Sequence, residues 1–251
     1  MAQMGHPHSD AQLISEATVV APGKPFFVGM SMKMDSGWHT YWMNPGDSGM
    51  PISIKWNLPA GWKAGEIQWA TPNKLDAGGG LVNFGYEDKV LLPVEITPPA
   101  DAKVGDKVDL NADVDWLICS KMCLQAAEPV TLGVEVGSQV KPDDSGKAQL
   151  DSALAKLPEA TPDMALTARK SGDSIDLSFP YTGSNQSILF LPADDLIAPA
   201  SPTVQPGKAG TLTVRMKVSQ FASAPAGRLK GLLVIPDRPR AIVVDVPITA
   251  Q

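Results

Sequence analysis

The chain has 251 residues, 21 basic and 27 acidic side chains and a net charge of −6, which argues against the basic footprint of a nucleic-acid binder. Hydrophobic residues make up 43%, enough for a sizeable core and too many for a wholly disordered chain. No apolar run approaches the roughly 18–20 residues of a membrane helix, and two cysteines are too few for a disulfide scaffold or an all-thiolate zinc site.

The first residues, Met1 to Gln12, are polar and carry His6 and His8. No apolar stretch of signal-peptide length follows Met1. The chain therefore reads as cytosolic or as an exported chain whose signal has been removed. His6 and His8 with Met1 and Met4 form either a loose copper tail or a floppy end. Beyond them, 22 Gly and 23 Pro punctuate the chain at short intervals, which favours strands and turns over long helices.

Residues 13–138 read as a string of short strands: 13–20, 25–34, 52–58, 65–69, 89–97, 107–119 and 128–136. In the second, Phe26, Val28, Met30, Met32 and Met34 fall on one face with period two. Turn clusters stand between the strands, among them Asn44-Pro45-Gly46-Asp47-Ser48-Gly49 and Thr97-Pro98-Pro99. Residues 139–162 change character. Lys141 to Gly146 has the composition of a linker. In Ala148–Leu157, Leu150, Leu154 and Leu157 take helical spacing until Pro158 stops the run. Residues 163–251 return to strands at 164–170, 174–179, 187–192, 210–218, 228–236 and 241–248, without Cys, His or Trp. The expected fold is all-β, with two immunoglobulin-like sandwiches joined by a linker that holds a short helix.

All six Trp lie between Trp38 and Trp116, so the chemistry is sought in the first half. Cys119 and Cys123 stand three residues apart at the end of one predicted strand. Arms of a hairpin can bring two Cα atoms within disulfide reach. A five-residue loop gains only about 2 kcal/mol from closure, a weak staple. The pair is thus either a static clip or a labile, redox-active bond. Lys121 between the sulfurs favours a thiolate electrostatically. The spacing and the strand context differ from a thioredoxin motif. Gly37–Gly49 offers His39 and Asp47 for catalysis and aromatic rings for a sugar, or simply a packed aromatic strand entering a turn. Met30, Met32 and Met34 are soft copper ligands or sandwich core.

Four segments in order carry a resemblance: GWHTYWMNPGDSG (37–49), IQWATPNKL (67–75), NFGYEDKVLLPVEI (83–96) and DWLICSKMCLQAAEPVTL (115–132). They resemble the periplasmic amino-terminal region of DsbD-like thiol:disulfide interchange reductases, and most closely the ScsB branch associated with suppression of copper sensitivity. The resemblance spans residues 13–136 and weakens beyond. It implies a periplasmic relay domain with no cofactor or resident metal. Electrons would come through a membrane-embedded domain and a thioredoxin-like domain of the same full-length protein. They would leave to periplasmic oxidoreductases of the ScsC or DsbC type. Cys123 would form mixed disulfides and Cys119 would resolve them. Phe84, with Tyr86 second, would be the aromatic shield of a cap loop. The chain would be the ectodomain of that reductase, cut before its first membrane helix. Two departures from DsbD are a shorter cysteine spacing and a Gly-rich cap, Gly78-Gly79-Gly80. The alternative is a periplasmic copper-binding module using Met and Cys ligands.

Overall fold

Strict alternation of apolar and polar side chains leaves one face of each strand to be buried, and the chain solves this with strands almost throughout. A computed structural model describes residues 7–159, 164–183, 187–207, 210–223, 225 and 227–250. In chain order the elements are β1 (Ser9–Ser15), β2 (Ala17–Val20), β3 (Phe26–Met34), β4 (His39–Gly46), β5 (Ser53–Asn57), β6 (Lys63–Ala64) and β7 (Asn73–Gly78). There follow β8 (Leu81–Glu87), β9 (Lys89–Thr97), β10 (Lys107–Cys119), β11 (Cys123–Val136), β12 (Lys141–Pro142) and the helix α1 (Asp144–Leu154). The rest is β13 (Thr167–Ser171), β14 (Ser174–Pro180), β15 (Leu189–Pro192), β16 (Thr203–Pro206), β17 (Thr211–Lys217), β18 (Arg228–Val234) and β19 (Ile242–Thr249). Among the described residues, no helix is long and apolar enough to cross a membrane. Met1, Met4 and His6 of the suggested copper tail lie outside the described residues.

The chain divides into two units. The first comprises residues up to Trp42, Met50–Ala70 and Tyr86–Leu157; the second comprises Met43–Gly49, Thr71–Gly85 and Pro158 onward. Strands β4 and β8 each run from one unit into the other.

The first unit is a sandwich. One sheet has the order β1-β3-β9-β6; the other runs β12-β2-β11-β10, with β5 and β4 also pairing with β10. Met30 and Met32 of β3 and Leu110, Val114, Trp116 and Ile118 of β10 are fully buried. The expected single strand 13–20 is two strands. Ser15 Oγ both accepts from Ala17 N and donates to Ala17 O, a local turn that competes with the ladder. The chain then leaves β3 and joins β11 in parallel. Residues 65–69 form no strand, although Gly65 N and Gln68 N still donate to β9 carbonyls.

Helix α1 begins earlier than the leucine spacing predicts. Asp143 caps it, its carboxylate accepting from Gly146 N at 2.8 Å, as N-cap chemistry requires. Leu150 is fully buried, and a Cβ on Gly29 of β3 would meet it at 3.0 Å. The helix therefore packs on the outer face of β3, and its residues belong to the first unit. A Cβ on Gly146 would lie 1.9 Å from Ser15 O. Gly→Ala in a helix normally stabilises by about 1 kcal/mol. Here Gly146→Ala is expected to destabilise by about 1–3 kcal/mol through overpacking. A raised urea midpoint would show the contact to be unimportant.

The second unit has one strand path, β15-β18-β19-β13-β14-β17-β16. Its core gathers Ile175, Leu177, Phe190, Val214, Leu233 and Val244. The strand β16 at its edge is absent from the sequence reading. This unit also holds the turn after β4 and the hairpin β7–β8. Asn44 Nδ2 donates to Pro192 O and Asp194 O at 2.8 and 2.9 Å. Asp47 N donates to Val82 O, and Val82 N donates back to the Asp47 carboxylate. Gly46 has φ +90°, and a Cβ there would lie 2.3 Å from Val82 O. The Asn-Pro-Gly-Asp motif is thus a structural lock.

Candidate functional site: the cysteine hairpin

β10 and β11 are the longest strands, paired in unbroken register from Lys107↔Glu135 to Cys119↔Cys123. That register carries the two cysteines to the last rung before the turn Ser120–Met122. Their Cα atoms are 4.1 Å apart and the sulfurs are bonded. A close approach of this size suits a directly opposed antiparallel pair. The two ends of the bond differ. Cys119 is 2% exposed, whereas Cys123 is exposed. Sulfur attacked in exchange must be reachable in line, and Cys123 is the more exposed residue of the two.

On its other side Cys119 is paired with His39 of β4. The same strand carries Tyr41, two residues on and so on the same face. Tyr41 Oη lies 3.9 Å from Cys123 Sγ, and the Tyr41 ring meets His39 edge-on with centroids 5.3 Å apart. Thr40, pointing the other way, donates from Oγ1 to Leu117 O at 3.0 Å and fastens β4 to β10. Burial pushes the Tyr41 phenol above its ordinary value. It stays an O–H donor over the neutral pH range, able to meet charge on Cys123. Lys121 and Met122 at the turn are exposed, Met122 by 63%. They place one exposed cation and one exposed thioether in the turn between the two cysteines.

Burial lowers the His39 pKa below 6.5, and the Glu87 carboxylate opposes that shift more weakly. The folded state thus resists protonation of His39. Stability is full above pH 6.5 and falls as pH drops from there toward the lowered folded value, because the unfolded chain binds the proton more readily. His39→Gln is expected to flatten this part of a stability–pH curve. An unchanged slope below 6.5 would place the titration elsewhere.

The other residues singled out from sequence fall as follows. Phe84 is fully buried on β8, opposite Lys74 of β7. Tyr86 is buried, and its hydroxyl donates to Ala70 O at 2.8 Å. Gly78, Gly79 and Gly80 lie at the tip of the β7–β8 hairpin, all with positive φ and open space at the Cβ position. Met30, Met32 and Met34 are core residues, so the copper reading lacks its thioether surface. Trp42 is buried, and Trp38 stacks on His8 with centroids 4.0 Å apart. His8 Nδ1 is itself 3.0 Å from the Asp35 carboxylate. Tyr41 gains its place beside Cys123 only through the pairing of β4 with β10. The one trace of this in the sequence is its position two residues after His39 in an aromatic run.

Residues 10–134 match the family described as the amino-terminal domain of the thiol:disulfide interchange protein DsbD. No curated protein matches the chain as a sequence. Among solved structures, the N-terminal periplasmic domain of ScsB from Proteus mirabilis aligns with a TM-score of 0.70 at 18% identity, over 99% of this chain and 96% of that one. Two others align far less well. The full-length major pilin SpaD from Corynebacterium diphtheriae has a TM-score of 0.32 at 9% identity, covering 97% of this chain and 66% of that one. The E. coli chaperone DraB has a TM-score of 0.27 at 11% identity, covering 95% and 97%. The ScsB match bears out the expected all-β, sandwich-like fold. With its paired cysteines at the hairpin tip, the chain belongs through residues 10–134 to the DsbD amino-terminal family, and it is a thiol–disulfide exchange domain.

Proposed function

We propose that this chain is the periplasmic relay end of a DsbD-like reductase of the ScsB branch. It accepts electrons from a thioredoxin-like domain of the same protein, itself supplied by a membrane-embedded domain. It passes them to periplasmic thioredoxin-fold oxidoreductases of the ScsC or DsbC type. The observation that carries this reading is the unequal exposure of the two bonded cysteines: Cys123 exposed, Cys119 buried.

Both half-reactions balance with the two cysteines alone. In loading, a donor thiolate attacks Cys123 Sγ, and Cys119 departs with the bonding pair. A second donor thiol then releases Cys123, leaving a dithiol here and a disulfide on the donor. In delivery, the Cys123 thiolate attacks the acceptor disulfide, and Cys119 closes on Cys123. The acceptor leaves as a dithiol. Tyr41 donates to charge on Cys123, and Lys121 adds a weaker, solvent-screened attraction. The exposed Met122 gives a thioredoxin-fold partner an adaptable apolar contact beside the sulfur. The shielding role that the resemblance gives Phe84 and Tyr86 stays part of the proposal, and both side chains are buried.

A redox titration against a dithiothreitol series, read by thiol-labelling mass shift, tests the reading. Structural disulfides have potentials below about −300 mV. A relay pair is expected to show one reversible two-electron transition above that. A pair that stays oxidised until strongly reducing conditions is a static clip, and the relay fails.

A further inference from the structure

The buried sulfur poses a chemical problem. After Cys123 has joined an acceptor, Cys119 must attack as a thiolate. Yet Cys119 is 2% exposed, and burial in apolar surroundings holds a thiol in its protonated form. Water has little access to take the proton. A base within the protein is needed.

One group stands in the right place. His39 is the residue directly opposite Cys119 in the β4–β10 pairing. Directly opposed side chains lie on the same face, with Cβ atoms about 4.5–5.5 Å apart. His39 Nε2 is buried and has no hydrogen-bond partner while the disulfide is closed. A buried polar atom left unpaired is costly and calls for an explanation. Opening the S–S bond creates a thiol on the adjacent strand that can supply the missing partner.

We propose that His39 is the general base that deprotonates Cys119 when the pair closes on a bound acceptor. The inference rests on the reading of Cys123 as the sulfur that attacks partners. The step runs in one direction for each participant. The Cys119 Sγ–H proton passes to His39 Nε2. The freed electron pair forms the Cys119–Cys123 bond. The bond between Cys123 and the acceptor breaks, and its pair leaves on the acceptor sulfur as a thiolate. The imidazolium then returns its proton to that thiolate or to water. No further oxidant or reductant is required. In loading the path runs in reverse: the ring first takes the proton given up by the donor thiol and then passes it to Cys119 as it leaves.

The neighbourhood favours a neutral ring ready to accept a proton. The groups around His39 are Cys119 on β10, Cys123 on β11, Tyr41 on β4 itself and Glu87 on β8. Burial outweighs the Glu87 charge and keeps the imidazole unprotonated at neutral pH. Glu87 in turn steadies the imidazolium that forms during the step.

The test uses the full chain, reduced, and mixed with an aromatic disulfide, dithiobis(nitrobenzoate). The first chromophore release reports attack by Cys123 and depends on reagent concentration. The second reports closure by Cys119 and does not. In the His39→Gln protein the second phase is expected to slow relative to the first by roughly a hundredfold at neutral pH, the lower end of general-base effects. Added imidazole is expected to recover part of the loss. In the unaltered protein the second phase should level off above a histidine-like inflection. A closure rate that instead climbs with pH up to a thiol value of about 8.5 or higher overturns the proposal, even if the variant does not fold. So does an unchanged ratio of the two phases in a folded His39→Gln protein. Absence of the first phase would instead strike at the exchange reading of Cys123.

Discussion

Cys119→Ala is expected to convert the domain from a relay into a trap. The remaining Cys123 is exposed, so it attacks an acceptor disulfide as before. No second thiol is then present to close on it, and a covalent complex accumulates. The reverse replacement behaves differently. Cys123→Ala leaves only the buried Cys119, and exchange with any protein partner is expected to fall to background. The asymmetry can be read without a partner by alkylating each single-cysteine protein. Labelling of Cys119 must wait for local opening, and an opening cost near 3 kcal/mol corresponds to roughly a hundredfold retardation. Equal labelling rates would mean that the hairpin tip does not distinguish its sulfurs. Assignment of the attacking role to Cys123 would then be wrong.

The second large effect is on stability. Trp116 is fully buried on β10, and its indole N–H donates to Ser9 Oγ at 3.0 Å. Trp116→Ala is expected to cost about 3–5 kcal/mol, a large share of the 5–15 kcal/mol typical of a folded domain. Trp116→Phe retains most of the packing and loses the hydrogen-bonded indole, and a cost nearer 1 kcal/mol is expected. Denaturant midpoints followed by circular dichroism separate the two. Equal midpoints for Trp116→Ala and the unaltered protein would remove Trp116 from the structural core. Because β10 also carries Cys119 at its end, weakened packing at Trp116 should make Cys119 easier to label before global unfolding.

Where local pattern and turn chemistry agree, the strands were legible from sequence. β9 and β10 have the bounds expected from sequence, the first of them ended by Thr97-Pro98-Pro99. β4 was harder, because it runs through Asn44-Pro45-Gly46, a composition that reads as a turn. The strand persists there because side chains and a close approach to Val82 hold it. The start of α1 was missed because Asp143 looks like linker until its carboxylate is seen to cap Gly146. The cysteine pair was legible from spacing and from the family resemblance. Its surroundings were not. The opposition of His39 to Cys119 and the approach of Tyr41 to Cys123 join residues far apart in the chain, and single-sequence periodicity contains no information on strand order. The Met stripe shows the converse. Alternation reported a buried face correctly, but a core and a ligand surface share that alternation.

The carboxy-terminal unit is not a separate length of chain. It includes residues 43–49 and 71–85, and Asn44 from the first of these is held by the carbonyls of Pro192 and Asp194. A fragment ending near residue 134, where the family match ends, would therefore leave two inserted segments without their host. Gene fusion alone, adding one domain after another, does not produce such an arrangement. The two halves are expected to have been inherited together, and exchanging the second half between relatives should fail unless both inserted segments travel with it.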